Sequence, residues 1–181
     1  MERKSYDYLK LKRIIRDVLV AMKIDEEGAE LASDVLISSD LRGVDSHGLG
    51  RLKVYHDGLK VGTVNTNPEP KIIKDNGAGV VVDADNGLGI VTAPRMMQLC
   101  MERAKKYGVG VVGTRQTNHF GMAGYYPMMA SKQGMIGVTA ANSLPLTAPF
   151  GSCERLLGSN PIAFSSPAGK YDAFTLDMAT S

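Results

Sequence analysis

The apolar residues of this chain change their spacing near Pro70, and this change constrains the fold more than any other feature. Before Pro70 they recur every three to four residues, as in amphipathic helices packed through one face. After Pro70, short apolar runs typical of strands alternate with glycine-rich turns and two helical patterns. This order of elements predicts an α/β fold, in which a helical N-terminal subdomain precedes a domain built on a mixed sheet.

Residues 1–66 are expected to form the helical subdomain, and residues 67–181 the mixed α/β domain. The spacing predicts a helix over residues 6–22 and, after a cap at Asp25, a second helix from Glu26 to Leu41. Since the subdomain carries few core residues, we expect it to pack on the rest of the chain or on a second subunit.

The second domain opens with Asn76-Gly77 between two apolar runs, which predicts a hairpin with a type I′ turn. A further turn is expected at Asp85–Gly87. The remaining predictions are helices at 91–107 and 122–133, strands at 109–113, 135–141, 161–165 and 173–178, a loop at 114–121 and an irregular segment at 144–160.

The composition excludes several classes of function. A net charge of +2 without any dense run of basic residues argues against a nucleic-acid-binding protein. No apolar run is long enough to span a bilayer, and the polar first ten residues do not resemble a signal peptide. Cys100 and Cys153 lie far apart, which suits a reducing cytoplasm.

The stretch from Asp45 to Tyr55 holds side chains with complementary chemistry. A third helix is expected through this stretch, ending near Gly62. Counting in fours from His47 reaches Arg51 and then Tyr55, so this helix would place all three on one face. Arginine pairs with carboxylates, histidine exchanges protons near neutral pH, and tyrosine can donate to an oxygen. The alternative is a solvated polar face, and spacing alone does not separate the two interpretations.

The glycines of residues 108–113 match the G-x-G-x-x-G pattern of Rossmann dinucleotide-binding loops, but in the wrong context. Such a loop follows a strand and opens a helix, whereas here a helix precedes and the glycines begin a strand. The acidic residue expected about twenty positions later is also missing, because Gln133 stands there. We therefore expect these glycines to allow close packing.

Three other segments follow strands, where open α/β sheets bind ligands. The loop 115–121 carries His119 among polar neighbours, and the alternative is an ordinary exposed histidine. Asn142-Ser143 and Asp177–Ser181 offer hydroxyls and backbone N–H groups suited to phosphate or ribose oxygens, or to simple turn chemistry. No tight histidine spacing indicates a metal site, and no G-x-S-x-G motif indicates a serine nucleophile.

Several ordered motifs, together covering essentially the whole chain, resemble the type 2 malate/L-lactate dehydrogenases. This family also includes sulfolactate, ureidoglycolate and diketogulonate dehydrogenases and the piperideine-carboxylate reductases. The motifs are Arg42-Gly-Val-Asp-Ser-His-Gly-Leu-Gly-Arg51, Asn118-His-Phe-Gly-Met-Ala-Gly-Tyr-Tyr126, Ala148-Pro-Phe-Gly151, Leu157-Gly-Ser-Asn-Pro161 and Leu176-Asp-Met-Ala-Thr-Ser181.

The resemblance implies an oxidoreductase that uses NAD or NADP and acts on 2-hydroxy or 2-keto acids, or on cyclic imino acids. It also implies a non-Rossmann nucleotide-binding domain and a homodimer. His47 and His119 would be the acid/base candidates, and Arg51 would clamp the substrate carboxylate with Ser46 and Tyr55 beside it. The residues implied at the cofactor are Asn118, Ser143, Leu176, Asp177, Met178, Ala179, Thr180 and Ser181, of which Asp177 would also relay protons to His47.

Members of this family continue well past the motif that ends at Ser181. The sequence therefore predicts a fragment, or a chain whose remainder lies on another polypeptide, and we expect poor cofactor binding by the isolated chain. The alternative to a dehydrogenase is a catalytically silent interaction subunit with the same fold.

Overall fold

A computed structural model describes residues 5–181. Its backbone contacts divide the chain into two compact units: an N-terminal unit that ends at Met122, and a C-terminal unit from Ala123 to Ser181. This division by compactness differs from the domain boundary expected after residue 66, which stays a prediction.

Four helices belong to the N-terminal unit, and the first two begin at aspartate caps. The Asp7 side chain accepts the Lys10 N–H at 2.9 Å, and the Asp25 side chain accepts the Gly28 N–H at 2.8 Å. The cap expected at Asp25 is therefore confirmed. The helices are α1 (Tyr8–Ala21), α2 (Glu26–Leu41), α3 (Leu52–Lys60) and α4 (Gly89–Tyr107).

The prediction of one continuous helix through His47, Arg51 and Tyr55 is wrong. Two 3₁₀ turns, Asp45–His47 and Leu49–Arg51, precede α3. Gly48 separates them with φ −92° and ψ −149°, a conformation that no helix contains. A long-range contact explains the break, as described with the site below.

A mixed three-stranded sheet completes the N-terminal unit, in the order β1-β2-β3. Strand β1 (Lys71–Asp75) pairs antiparallel with β2 (Gly79–Gly87), and β2 pairs parallel with β3 (Val111–Thr117). Helix α4 makes the crossover between β2 and β3, as parallel pairing requires. The first half of the loop expected over 114–121 is thus strand.

The hairpin predicted between β1 and β2 forms, but its turn is not of type I′. That type needs positive φ at two consecutive residues, whereas in this turn Gly77 has φ +78° and Asn76 has no positive φ. The Asn76 N–H instead donates to the Gly79 carbonyl at 2.8 Å, which closes a longer loop. The turn expected at Asp85–Gly87 is an irregularity inside β2, with Asp85 and Asn86 at φ +51° and +56°.

The G-x-G-x-x-G pattern serves packing, as expected. Gly108 ends α4 at φ +83°, the left-handed conformation common after helices. A Cβ on Gly110 would overlap the Cys100 carbonyl oxygen of α4, so this position requires glycine for close approach. The glycines lie where a helix ends and a strand begins, so this is not a Rossmann loop.

The C-terminal unit contains one short helix and a second, antiparallel sheet. Its elements are α5 (Tyr125–Ser131), β4 (Gly137–Ala140), β5 (Ile162–Ala168) and β6 (Tyr171–Met178), in the sheet order β4-β5-β6. The α/β class is confirmed, but the strands form two sheets rather than one mixed sheet. The helix expected over 122–133 is shorter at both ends, while segment 144–160 is irregular, as predicted.

The two faces of the second sheet differ. Helix α5 packs on the face that holds Ala163 and Ser165, both fully buried, and the Ser165 hydroxyl donates to Ser131 Oγ at 3.0 Å. The opposite face, here called the exposed sheet face, carries apolar side chains that are 42–62% exposed: Val138, Ile162, Phe174, Leu176 and Met178.

No helix in the described part of the chain has the length and apolar composition needed to cross a bilayer. Within residues 5–181 no three histidine, cysteine, aspartate or glutamate side chains come together as metal ligands.

Candidate active site

Two histidines far apart in the sequence stack on each other in the N-terminal unit. His47 ends the first 3₁₀ turn and His119 follows β3, and their ring centroids lie 5.4 Å apart with planes at 25°. Tyr55 of α3 reaches the same place, and its hydroxyl oxygen lies 2.8 Å from His119 Nδ1. His47, Tyr55 and His119 together are called the imidazole cluster below.

A carboxylate from α2 fixes the backbone on the C-terminal side of His47. Asp40 Oδ2 accepts the Leu49 N–H at 2.8 Å, and the carboxylate fills the space that a side chain at residue 48 would need. A Cβ on Gly48 would overlap that carboxylate, so a larger residue at this position would displace the Asp40 side chain from the Leu49 N–H. This tertiary contact is why the helical spacing of the sequence does not produce a helix here.

Arg51 lies beside the imidazole cluster with one nitrogen already engaged. Its Nε donates to the Ser46 carbonyl oxygen at 2.6 Å, which anchors the side chain. The terminal Nη1 and Nη2 atoms form the edge of the guanidinium that pairs with a carboxylate in a bidentate manner. The Ser46 hydroxyl lies 2.8 Å from His47 Nδ1. Ser46 therefore contacts both the guanidinium and one imidazole.

The segment that carries His119 is seated on the beginning of α4. The Asn118 side-chain amide donates to the carbonyl oxygens of Asn86 at 2.9 Å and Gly87 at 3.1 Å, and its backbone N–H also donates to Gly87. A Cβ on Gly89 would overlap the carbonyl oxygens of Asn118 and His119. The Asn118 amide, expected at the cofactor, is therefore engaged in holding the backbone next to His119.

The surroundings of the cluster change its acid–base properties. His119 stays exposed on one side, but loss of solvent around the rest of the ring, together with the charges of protonated His47 and of Arg51, lowers the pKa of His119 from 6.5 to about 4. Tyr55 is only 4% exposed, and burial raises the pKa of its phenol well above 10. At neutral pH the His119 ring is therefore uncharged and Tyr55 keeps its proton.

A second group of candidate residues lies in the C-terminal unit, where hydroxyls and backbone groups hydrogen-bond to one another. We call Ser143, Ser159, Asn160, Thr180 and Ser181 the hydroxyl cluster. Ser143 Oγ lies 3.1 Å from Ser159 Oγ and accepts the Asn160 N–H at 3.2 Å. Thr180 Oγ1 donates to the Asn160 carbonyl at 3.1 Å, and Ser181 Oγ donates to the Gly158 carbonyl at 2.7 Å.

These contacts determine which partners the hydroxyl cluster suits. The hydroxyl hydrogens of Thr180 and Ser181 are directed to backbone carbonyls, while the remaining oxygen lone pairs are acceptors. Acceptor oxygens fit ribose hydroxyls or a carboxamide N–H better than they fit phosphate. The residues implied at a nicotinamide nucleotide thus fit its sugar and amide groups. Ser159 and Asn160 were not predicted as candidates, although they lie in the Leu157–Pro161 motif.

Asp177 has a partner within its own unit. Its Oδ2 accepts the Gly124 N–H at 2.7 Å, which ties β6 to the start of α5. The roles expected of Asp177, at the cofactor and in proton relay to His47, stay predictions. Leu176 and Met178 point to the exposed sheet face, and Ala179 follows the end of β6.

A cavity of about 430 Å³ lies beside α1 and α2, and no residue of the imidazole cluster or the hydroxyl cluster lines it. It is lined by Leu9, Lys12, Arg13, Arg16 and Glu30. Lys12 and Arg16 pair there with acidic side chains of α2, so their charges are already balanced.

Comparison with known proteins assigns this chain to a family. The family model for malate/L-lactate dehydrogenase matches residues 6–181. The chain belongs to the malate/L-lactate dehydrogenase family. This membership confirms the resemblance found in the sequence motifs.

Individual members of the malate/L-lactate dehydrogenase family match this chain along about half of their own length. L-sulfolactate dehydrogenase of Methanocaldococcus jannaschii is 48% identical over 94% of this chain and 49% of its own. Ureidoglycolate dehydrogenase (NAD(+)) of Escherichia coli K12 is 33% identical, over 94% of this chain and 49% of its own. The solved structure of malate dehydrogenase from Pyrococcus horikoshii superposes with a TM-score of 0.94 at 44% identity, covering 100% of this chain and 54% of that one. The chain thus spans about half the length of these relatives.

Proposed function

We propose that this chain supplies the acid/base and carboxylate-binding part of an NAD(P)-dependent dehydrogenase that interconverts 2-hydroxy and 2-keto acids such as malate or lactate. The observation that carries the proposal is the stacked pair of His47 and His119 beside the Arg51 guanidinium. Membership of the malate/L-lactate dehydrogenase family supports it, as do relatives named for activity on malate, sulfolactate and ureidoglycolate.

Arg51 is proposed to bind the substrate carboxylate. Its Nε is held by the Ser46 carbonyl, so the guanidinium is oriented before substrate arrives and little side-chain freedom is lost on binding. Fixed orientation of this kind can contribute effective molarities on the order of 10⁵ M or more. The ionic contact would orient the 2-carbon oxygen toward the imidazoles.

His47 and His119 are proposed as the two candidates for the group that exchanges a proton with the substrate's 2-oxygen. A positioned acid or base of this type contributes roughly 10²–10⁴-fold in rate. Tyr55 and Ser46 each contact one of the two rings and hold it in place.

A bound nicotinamide would supply or accept the hydride. The chain's own contribution would be the acceptor oxygens of Ser143, Thr180 and Ser181, which suit the ribose and the carboxamide. NAD is the cofactor named for the E. coli relative, and NADP is retained as the alternative. The proposal also includes a homodimer in the cytoplasm, where the unpaired Cys100 and Cys153 would remain reduced.

Acid binding tests the proposal without requiring turnover. Lactate and propionate differ only by the 2-hydroxyl, so both should bind Arg51 but only lactate should shift the NMR signals of both imidazoles. Arg51→Ala should weaken lactate binding at least about tenfold, because a charge-assisted contact is lost. Arg42→Ala, an exposed arginine nearby, is the matched control and should leave binding unchanged.

Absence of any imidazole shift with lactate, malate or sulfolactate would contradict the proposal, as would unchanged binding by Arg51→Ala. Fluorescence titration with NADH and NADPH then decides the cofactor preference. In an enzyme of the relatives' full length that contains this sequence, Arg51→Ala should raise KM and lower kcat/KM.

A further inference from the structure

We propose that Tyr55 is a positioning residue that fixes His119 in the tautomer with its proton on Nε2. His119 then presents an N–H donor, rather than a lone pair, to the substrate's 2-oxygen. This inference deepens the proposed function and rests on it for the identity of the substrate. The resemblance had implied that Tyr55 lies at the substrate, but its hydroxyl is directed at an imidazole.

Two separate groups approach the same nitrogen of His119. The Tyr55 hydroxyl lies 2.8 Å from Nδ1, and the backbone nitrogen of Gly121 lies 3.3 Å from it. A backbone N–H can only donate, so this longer contact favours, without fixing alone, a lone pair on Nδ1 that accepts it. A neutral imidazole with an unprotonated Nδ1 has its proton on Nε2.

The backbone after His119 is shaped to make this contact. Gly121 has φ +77°, the left-handed region that glycine adopts without strain, and this conformation lets its N–H approach the ring two residues earlier. A Cβ at Gly121 would lie 2.9 Å from a methyl carbon of Val35, so the core below also requires glycine.

The phenol of Tyr55 is a reliable donor in this position. It is buried, and burial raises its pKa, so it keeps its hydrogen across the neutral range. His119 in turn has a lowered pKa and remains a neutral acceptor at Nδ1. Of the two contacts the tyrosine bond is the shorter, so its loss should leave the tautomer weakly fixed.

The tautomer has a consequence for the choice of ligand. A 2-keto acid presents a carbonyl oxygen, which accepts a hydrogen bond from Nε2–H. A 2-hydroxy acid that gives up its hydroxyl proton needs an acceptor, and Nε2–H of His119 is not one. The Ser46 hydroxyl beside the stacked His47 can either donate or accept, so that contact by itself does not fix the tautomer of His47. A 2-hydroxyl oxygen can accept the same bond, but its own hydrogen then finds no acceptor on His119, so we expect His119 to favour the keto form.

Nitrogen-15 NMR of the histidine rings tests the assignment directly. Long-range proton–nitrogen correlations at pH 7 should identify His119 Nδ1 as unprotonated and Nε2 as protonated. Tyr55→Phe keeps the ring and removes the hydroxyl, and it should produce a mixture of the two tautomers. Tyr171→Phe, at an exposed tyrosine of β6, is the matched control and should leave the His119 spectrum unchanged.

Ligand binding gives a second measurement. Pyruvate should bind more tightly than lactate by about tenfold, the size of one net hydrogen bond. Tyr55→Phe should reduce this ratio at least about threefold, while a variant disturbed only in its packing would weaken both acids equally.

Two results would overturn the inference: a proton on His119 Nδ1 in the wild-type chain, or an unchanged tautomer in folded Tyr55→Phe. If that variant does not fold, an Overhauser contact from the Tyr55 phenolic proton to the His119 ring in the wild type replaces it, and its absence counts against the proposal. Acid binding that fails while the tautomer is as assigned would remove the proposed function and leave the role of Tyr55 intact.

Discussion

The two units of this chain differ in how completely they bury their apolar side chains. In the N-terminal unit, α1, α2, α4 and the mixed sheet enclose a continuous core, with Leu19, Val35 and Leu36 fully buried. In the C-terminal unit, α5 covers one face of the antiparallel sheet and the exposed sheet face carries apolar side chains in solvent. The imidazole cluster therefore lies on a well-packed base, whereas the hydroxyl cluster lies in a unit that is packed on one side.

This difference bears on how each cluster is held. His119 and Tyr55 are constrained by buried neighbours and by backbone that only glycine permits. The hydroxyl cluster is held mainly by its own hydrogen bonds, and its members are exposed. Rigidity of a site thus follows from the packing of the layer beneath it, and three matched pairs of substitutions can test the packing and the surroundings of the imidazole cluster.

The largest effect should come from matched leucine truncations in the two units. Leu36→Ala should lower the free energy of unfolding by about 2–5 kcal/mol, because it opens a cavity in a closed core. Leu176→Ala, at a side chain 42% exposed on the exposed sheet face, should cost less than about 1 kcal/mol. Urea unfolding measures both, and equal losses would contradict the difference in packing.

A pair of glycine substitutions in the G-x-G-x-x-G pattern should have an intermediate effect on the free energy of unfolding. Gly110→Ala should cost about 1–3 kcal/mol, because its Cβ collides with the Cys100 backbone. Gly113→Ala is the control, since the nearest atoms lie 4.0 Å from its Cβ, and it should be neutral or slightly stabilising. Equal thermal midpoints for the two variants would remove the packing explanation of this glycine pattern.

The smallest effect should be a dependence on pH that arises in the imidazole cluster. Between about pH 6.5 and pH 4 the unfolded chain protonates His119 while the folded chain does not, so acidification through this window should reduce stability. Above pH 6.5 the contribution vanishes, because both states are neutral. His119→Asn should flatten the slope in this window, whereas His56→Asn, at a histidine outside the cluster, should keep it. A slope unaffected by His119→Asn would show that the ring titrates normally.

Local patterns were enough to predict much of the fold. The spacing of apolar residues predicted α1, α2 and α4 to within a few residues, and Asp25 predicted where α2 begins. The hairpin was expected, but its turn type was not, because the loop closes through a backbone bond to Gly79. The helix predicted through His47 does not form, because the Asp40 carboxylate binds the Leu49 N–H and holds the backbone in a turn. The spacing of residues around His47 gives no indication of this contact.

The residues of the candidate site were predicted only in part, because local patterns do not indicate contacts between residues distant in the sequence. Spacing drew attention to His47 and Arg51, and position after a strand drew attention to His119. The contact between Tyr55 and His119 joins residues 64 positions apart, so neither the spacing around Tyr55 nor the loop around His119 indicates it. Ser159 joins the hydroxyl cluster through its hydroxyl and its carbonyl oxygen, and Asn160 joins it through backbone and amide groups. Sequence patterns do not distinguish such contacts from those of ordinary turn residues.

Gly48 packs directly on the Asp40 carboxylate, so substitutions at these two positions are coupled. A larger residue at 48 would displace the Asp40 carboxylate, and loss of Asp40 leaves the Leu49 amide without its acceptor. A change at either position alone would therefore disturb the turn between His47 and Arg51. Homologous sequences that keep this turn should change residues 40 and 48 together or not at all.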